Sequence, residues 1–238
     1  MKKREFSLNK RGSHVGMILS FVIFITFLMM LYLTFQPSLK LKESKKQELD
    51  YIQNKVIENI SEQVFYVTYS YTPSGNDDCL EVSIPTHLEN KTVIAKIQGT
   101  TMNSESDGER VRTEISDSEN KIVKFFYSES ISTTPPTCSR FVNENQVEEE
   151  LSQTREEIIE WRTINLIESH KKNYTTLKKN LGIADGTEFN IKFAYGNGTE
   201  IESKRTQKTN SVFAENIPVQ YLNSSADINR GIISIQVW

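Results

Sequence analysis

The chain has 238 residues, with 28 Lys and Arg against 31 Asp and Glu, three histidines, two cysteines and a net charge of −3. That balance leaves no basic footprint for nucleic acid. His14, His87 and His170 are scattered and form no legible metal cluster, and there is no glycine-rich phosphate loop, HExxH or Gly-x-Ser-x-Gly elbow. No catalytic residue, cofactor ligand or metal ligand is therefore assigned, and the expectation is a protein that binds or assembles.

Residues 1–14 form a short tail with five basic side chains (Lys2, Lys3, Arg4, Lys10, Arg11) against Glu5. Residues 15–35 then run without a charge or a proline, interrupted only by Ser20, Thr26 and Thr34 among apolar side chains. About 20 such residues cross the hydrocarbon core of a bilayer as a helix, and a helix satisfies its own backbone polar groups there. The run is longer than the apolar region of an ordinary secretory signal, and Phe35-Gln36-Pro37-Ser38 is not a small-x-small cleavage site. A single transmembrane helix that stays on the protein is expected. Lys40, Lys42, Lys45 and Lys46 on the far side leave little basic asymmetry across the span. Both cysteines and all five Asn-x-Ser/Thr sequons (Asn59, Asn90, Asn173, Asn197, Asn223) follow the span. These features place the N-terminus in the cytoplasm and residues 38–238 outside, with the five asparagines as candidate N-glycosylation acceptors.

The junction of tail and span, Lys10-Arg11-Gly12-Ser13 followed at once by the apolar run, resembles the class III signal peptide of type IV pilins and archaeal pilin-like proteins. The resemblance covers about 25 residues, plus a general layout of basic tail, span, helical stalk and β-rich ectodomain. It implies that a membrane peptidase cuts after Gly12, that Ser13 becomes the new N-terminus, and that the helix later packs into a filament core. The chain departs from the bacterial pattern at the fifth mature position, where the family has glutamate and this sequence has Met17.

Beyond the membrane, Leu49, Ile52, Val56, Ile60 and Val64 fall at steps of three and four, so residues 38–63 read as an amphipathic juxtamembrane helix. Pro37 is expected to kink or interrupt the chain before it. The helix either forms a stalk or packs on its own β-domain. From Val64 the period changes to two. Val64–Thr72, Leu80–Ile84, Thr92–Ile97, Arg110–Ile115 and Ile122–Tyr127 read as five short strands of an antiparallel sheet or sandwich.

Residues 144–181 read as one long helix. Val147, Leu151, Ile158, Trp161, Ile164, Ile167, Tyr174, Leu177 and Leu181 step by three, four or seven, and Gly182 stands where a C-cap belongs. Glu148–Glu150 near its start and Lys171, Lys172, Lys178 and Lys179 near its end suit the helix dipole. Residues 188–238 return to strands, with Gly196-Asn197-Gly198 as a hairpin signal and Thr199–Ser203 as a partner strand. The class is α+β, with one extracytoplasmic domain over 64–238.

Cys79 and Cys138 would close a loop of about 60 residues, stabilising the domain by roughly 4 kcal/mol in the chain-entropy model; the alternative is two buried thiols. Three functional readings follow. In one, a non-enzymatic pilin-like subunit loses its tail and joins other envelope proteins or copies of itself through the apolar helix. In the second, a permanently anchored envelope protein binds or adheres through its β-domain. The third, an envelope enzyme, has no constellation behind it.

Overall fold

The computed structural model describes residues 12–72, 77–85, 88, 91–115, 121–203 and 212–238, with residues 12–13 and 37–42 described by their helical backbone. It is a mixed α+β protein whose chain divides into two compact units between Glu48 and Leu49.

The first helix, α1, spans Gly12–Ile60. Within it, His14–Gln36 is long and apolar enough to cross a membrane, and its large apolar side chains are exposed all round, Phe24 by 56% and Met30 by 69%. The helical backbone runs through Pro37 where an interruption was expected. A proline costs one helical hydrogen bond. Here good helix formers, Leu, Lys, Glu and Gln, follow it through Glu48 and carry the helix on.

In the second unit the strands are β1 (Ser61–Tyr71), β2 (Cys79–Ser83), β3 (Thr92–Ile97), β4 (Thr100–Met102), β5 (Ser104–Ser106), β6 (Arg110–Glu114), β7 (Ile122–Ser128), β8 (Val147–Ile159), β9 (Phe189–Tyr195), β10 (Glu200–Glu202), β11 (Phe213–Leu222) and β12 (Ile228–Val237). Helices α2 (Glu160–Lys172) and α3 (Tyr174–Asn180) lie between β8 and β9. Nine strands form one sheet in the order β10-β9-β12-β11-β8-β1-β7-β3-β4, and β2-β6-β5 form a second. The five early strands stand where the period-two pattern put them, and the β9–β10 hairpin turns at Gly198 with Glu200 opposite Ala194.

The long helix expected over 144–181 is a correction. A 3-10 turn at Glu144–Gln146 leads into the 13-residue strand β8, and helix begins only at Glu160. Glutamate-rich sequence favours helix locally. Strand β1, however, is apolar on both faces and needs hydrogen-bonded neighbours on both edges; β7 takes one and β8 the other, from Ser61↔Ile158 to Tyr71↔Val147. Pairing overrides propensity. Asn173, at φ −137° and ψ 48°, then separates α2 from α3. The buried side of α2 is Thr163, Leu166, Ile167 and His170, while Trp161 of the expected stripe is 58% exposed. Gly182 does terminate helix, at the end of α3. It sits at φ +69°, its N–H bonds the carbonyl of Lys179 at 3.1 Å, and the N–H of Ile183 bonds that of Lys178 at 3.0 Å.

Side-chain alternation assigns the cores. On one face of the large sheet, Val67 and Tyr69 of β1 with Val123, Phe125 and Tyr127 of β7 pack against Leu80, Val82 and Val111 of the small sheet. On the same face farther along, Phe189, Ile191, Phe193, Ile233, Ile235 and Val237 meet Leu166 and Ile167 of α2, Leu177 of α3, and the stripe Leu49, Ile52, Val56 and Ile60 of α1. Residues 49–60 of α1 thus pack on their own domain. A smaller cluster on the opposite face (Val64, Tyr66, Ile94, Phe126, Ile131, Ile159, Leu222, Ala226) leaves much of that face open.

The sheet is not wholly antiparallel. Strand β11 meets β8 in parallel, and only at Tyr221↔Ile158 and Leu222↔Ile159. Among the described residues, β8 over 147–157 and β11 over 213–220 therefore pair on one side only. Both edges carry features that resist further pairing: Glu150 bulges out of the β1–β8 register, glutamates crowd β8, and Pro218 leaves β11 one backbone donor short.

Candidate functional site

Gly12 and Ser13 open the helical backbone of α1, while residues 1–11 lie outside the described ones. The exposed apolar segment His14–Gln36 begins directly after them.

Cys79 and Cys138 are joined in a disulfide, with their Cα atoms 5.6 Å apart. The strap that brings Cys138 to β2 is held by backbone: Cys79 N–H donates to the Arg140 carbonyl at 3.0 Å, and Val142 N–H donates to the Cys79 carbonyl at 2.9 Å. The Asp78 carboxylate accepts from the backbone N–H of Arg140 at 2.7 Å and of Ser139 at 3.1 Å. These bonds, the Arg140 one foremost, hold its carboxyl below the ordinary range. Asp78 is thus a loop anchor within the Asp77-Asp78 pair.

The sequons separate by position. Asn59 and Asn173 are exposed at helix ends, and Asn197 is exposed at the β9–β10 hairpin tip. Asn223 is half-buried; its side-chain oxygen accepts from the N–H groups of Ser225 and Asp227, and its amide donates to the Asp227 carboxylate at 3.2 Å. An acceptor asparagine must present that amide to solvent, which three of these sites do and Asn223 does not. Asn90 and His87 lie outside the described residues. His170 is a core residue, 2% exposed, with Nε2 2.8 Å from the Phe189 carbonyl and its ring against Tyr174 and Phe189. Among the described residues, no three His, Cys, Asp or Glu side chains are placed to hold a metal ion.

The open face of the large sheet carries a feature that the strand pattern did not single out. Lys96 of β3, Lys121 just before β7, and Lys124 of β7 line a groove of about 580 Å³ whose apolar walls are Ile122 and Phe126. The β3–β4 turn closes one end, with both its residues at positive φ (Gln98 50°, Gly99 83°), as a two-residue hairpin turn requires. The Lys124 ammonium lies 4.6 Å from the centre of the Tyr66 ring and 5.1 Å from that of Phe126. Lys96 Nζ stands 5.7 Å from the Phe126 ring centre, and the Arg155 guanidinium stands 5.9 Å from that of Tyr66. Ring faces attract cations, so two buried aromatics hold three cations in a row across β8, β1, β7 and β3.

Among the described residues, the acids nearby are engaged. Asp227 pairs with Lys96, and Glu157 accepts from the Tyr66 hydroxyl at 2.7 Å. Lys124 has no carboxylate within ion-pair distance among the described residues, and burial, then the charges of Arg155 and Lys96, lower its pKa despite Glu157. The sequence signal for this groove was a lysine at the start of β7 and another two residues before Phe126, but only the β3–β7 register brings Lys96 opposite Lys124. A second hollow of about 460 Å³, bordered by Asn59, Trp161 and Asn165, contains Arg162, whose charge is already matched by Glu62.

No family model, curated protein or solved structure matches this chain.

Proposed function

We propose that this chain is a non-enzymatic, membrane-anchored surface protein of pilin-like layout, with a cytoplasmic N-terminus and the unit Leu49–Trp238 held outside as a domain for assembly or binding. The observation that carries the reading is the 23-residue apolar segment His14–Gln36, none of which is buried. A core helix of a soluble protein would be covered, whereas lipid or neighbouring helices would cover this one. The disulfide in the second unit suits an oxidising compartment. Placing arginine at Phe24, near the middle of the segment, is expected to impair insertion, since a central charge costs about 2.5–3.5 kcal/mol on insertion scales. Unchanged membrane extraction of Phe24→Arg would remove the anchor reading.

In the processed form, a peptidase releases residues 1–12 and Ser13 leads the mature chain. Gly12→Phe should then block the cut and keep the protein out of filaments, because the charged tail would have to be buried among apolar helices. Intact mass of protein taken from cells with an active peptidase decides it; an uncut N-terminus there selects the second reading, a permanently anchored envelope protein that binds. What favours that reading is the cation-lined groove on the open sheet face.

A further inference from the structure

We infer that the groove between β7 and the β3–β4 turn is a binding site for an anionic saccharide, a sugar chain bearing carboxylate or sulfate groups. This goes beyond the anchored-protein reading and does not depend on whether the helix is inserted or the tail removed.

The groove's volume, about 580 Å³, is that of a small-ligand site. The exposed Lys121 and half-buried Lys124 stand three residues apart, and the ammonium of Lys124, held over Tyr66 and Phe126, has no carboxylate in ion-pair range among the described residues. Holding a half-buried cation that no described carboxylate meets, beside Arg155 and Lys96, costs free energy, which an incoming anion recovers. Aromatic packing fixes that cation in place before any ligand arrives, so little side-chain entropy is lost on binding.

The chemistry of the walls narrows the anion. Ile122 is 59% exposed beside the lysines and offers an apolar surface suited to the C–H face of a pyranose ring. Lysine is a point charge that takes carboxylate, sulfate or phosphate alike, so it is the apolar ledge of Ile122 between Lys121 and Lys124 that calls for a sugar ring behind the anion. Phe126 is 5% exposed and Tyr66 2%, so neither offers a free face for stacking a nucleobase. The groove is open along the sheet, so a chain ligand can lie across it with successive acidic groups at Lys121 and Lys124.

The test uses the full chain in nanodiscs of zwitterionic phosphatidylcholine, titrated calorimetrically with oligogalacturonate, dextran sulfate, neutral maltohexaose, inorganic phosphate and polyphosphate. Saturable binding of oligogalacturonate or dextran sulfate is expected, with none to maltohexaose. Lys124→Gln should weaken it at least tenfold. Lys121→Glu should do the same without disturbing the ring contacts, so a folding defect at Lys124 leaves the result intact. Lys171→Glu, on the remote surface of α2, should leave binding unchanged. The inference is overturned by absence of binding to both acidic saccharides, by equal affinity of the Lys121→Glu variant, by an equal loss in Lys171→Glu, or by tighter binding of phosphate or polyphosphate than of either saccharide.

Discussion

The guanidinium of Arg162 meets the buried carboxylate of Glu62 at 3.2 Å, tying the first turn of α2 to the start of β1. Glu62 also accepts from Ser128 Oγ at 2.9 Å, the Glu129 N–H at 2.7 Å and Ser130 Oγ at 2.7 Å, so one carboxylate fixes the chain where it leaves β7. Burial pushes this carboxyl up, and the bonds from Ser130, Glu129 and Ser128, with the Arg162 charge, outweigh it and hold the group below its ordinary value.

From this follows a pH dependence. A carboxyl lowered in the folded state contributes stability that is fully present above its unfolded value, 4.5, and is lost as the pH falls through the folded value. Glu62→Gln keeps the shape but sets an amide donor against other donors, and should cost about 2–4 kcal/mol at neutral pH. Urea midpoints measured from pH 7 to pH 3 should fall more steeply for the native chain than for the variant; identical slopes would show that Glu62 contributes nothing to the acid response.

Reducing the Cys79–Cys138 bond should lower stability by roughly 4 kcal/mol in the chain-entropy model. The first segment to loosen should be the strap around Ser139 and Arg140, seen as faster amide exchange there. Before reduction, alkylation under denaturing conditions should label neither cysteine.

At the end of α3, Gly182 lies at φ +69°, and a Cβ there would stand 2.8 Å from the Tyr51 hydroxyl, which donates to the Leu181 carbonyl at 3.2 Å. Gly182→Ala meets both the left-handed penalty, about 1–2 kcal/mol, and the loss of that hydrogen bond, about 1 kcal/mol. Tyr51→Phe should show the second part alone. If Gly182→Ala is no worse than Tyr51→Phe in denaturant melts, backbone strain is not what the glycine relieves.

The half-open edges of β8 and β11 should become adhesive once their blocking residues are removed. Replacing Glu148 and Glu150 with threonine and Pro218 with valine strips charge from the β8 edge and restores a backbone donor to β11, leaving unpaired backbone groups less protected on both. Sedimentation velocity of detergent-solubilised protein should show self-association that grows with concentration, against none from this source in the native chain. Unchanged sedimentation would mean that twist at the Tyr221↔Ile158 joint already keeps the edges apart.

The apolar run, the stripe Leu49–Ile60, the five early strands and the stop at Gly182 were legible because each depends on neighbours in sequence: helix and strand periodicity, and the positive φ a helix end requires of one residue. The cysteine pair could be proposed from spacing, and the backbone strap through Arg140 realises it. What the sequence by itself could not decide was the state of Val147–Ile159, where glutamate-rich helix propensity competed with the unmet hydrogen bonds of β1, whose paired residues run from Tyr71 opposite Val147 to Ser61 opposite Ile158, far away in the chain. The parallel joint between β8 and β11 and the convergence of Lys96, Lys124 and Arg155 on two aromatic rings came from strand register alone. Register is set by non-local pairing energy, which no local pattern of residues encodes, and so the open cationic groove belongs to the tertiary structure.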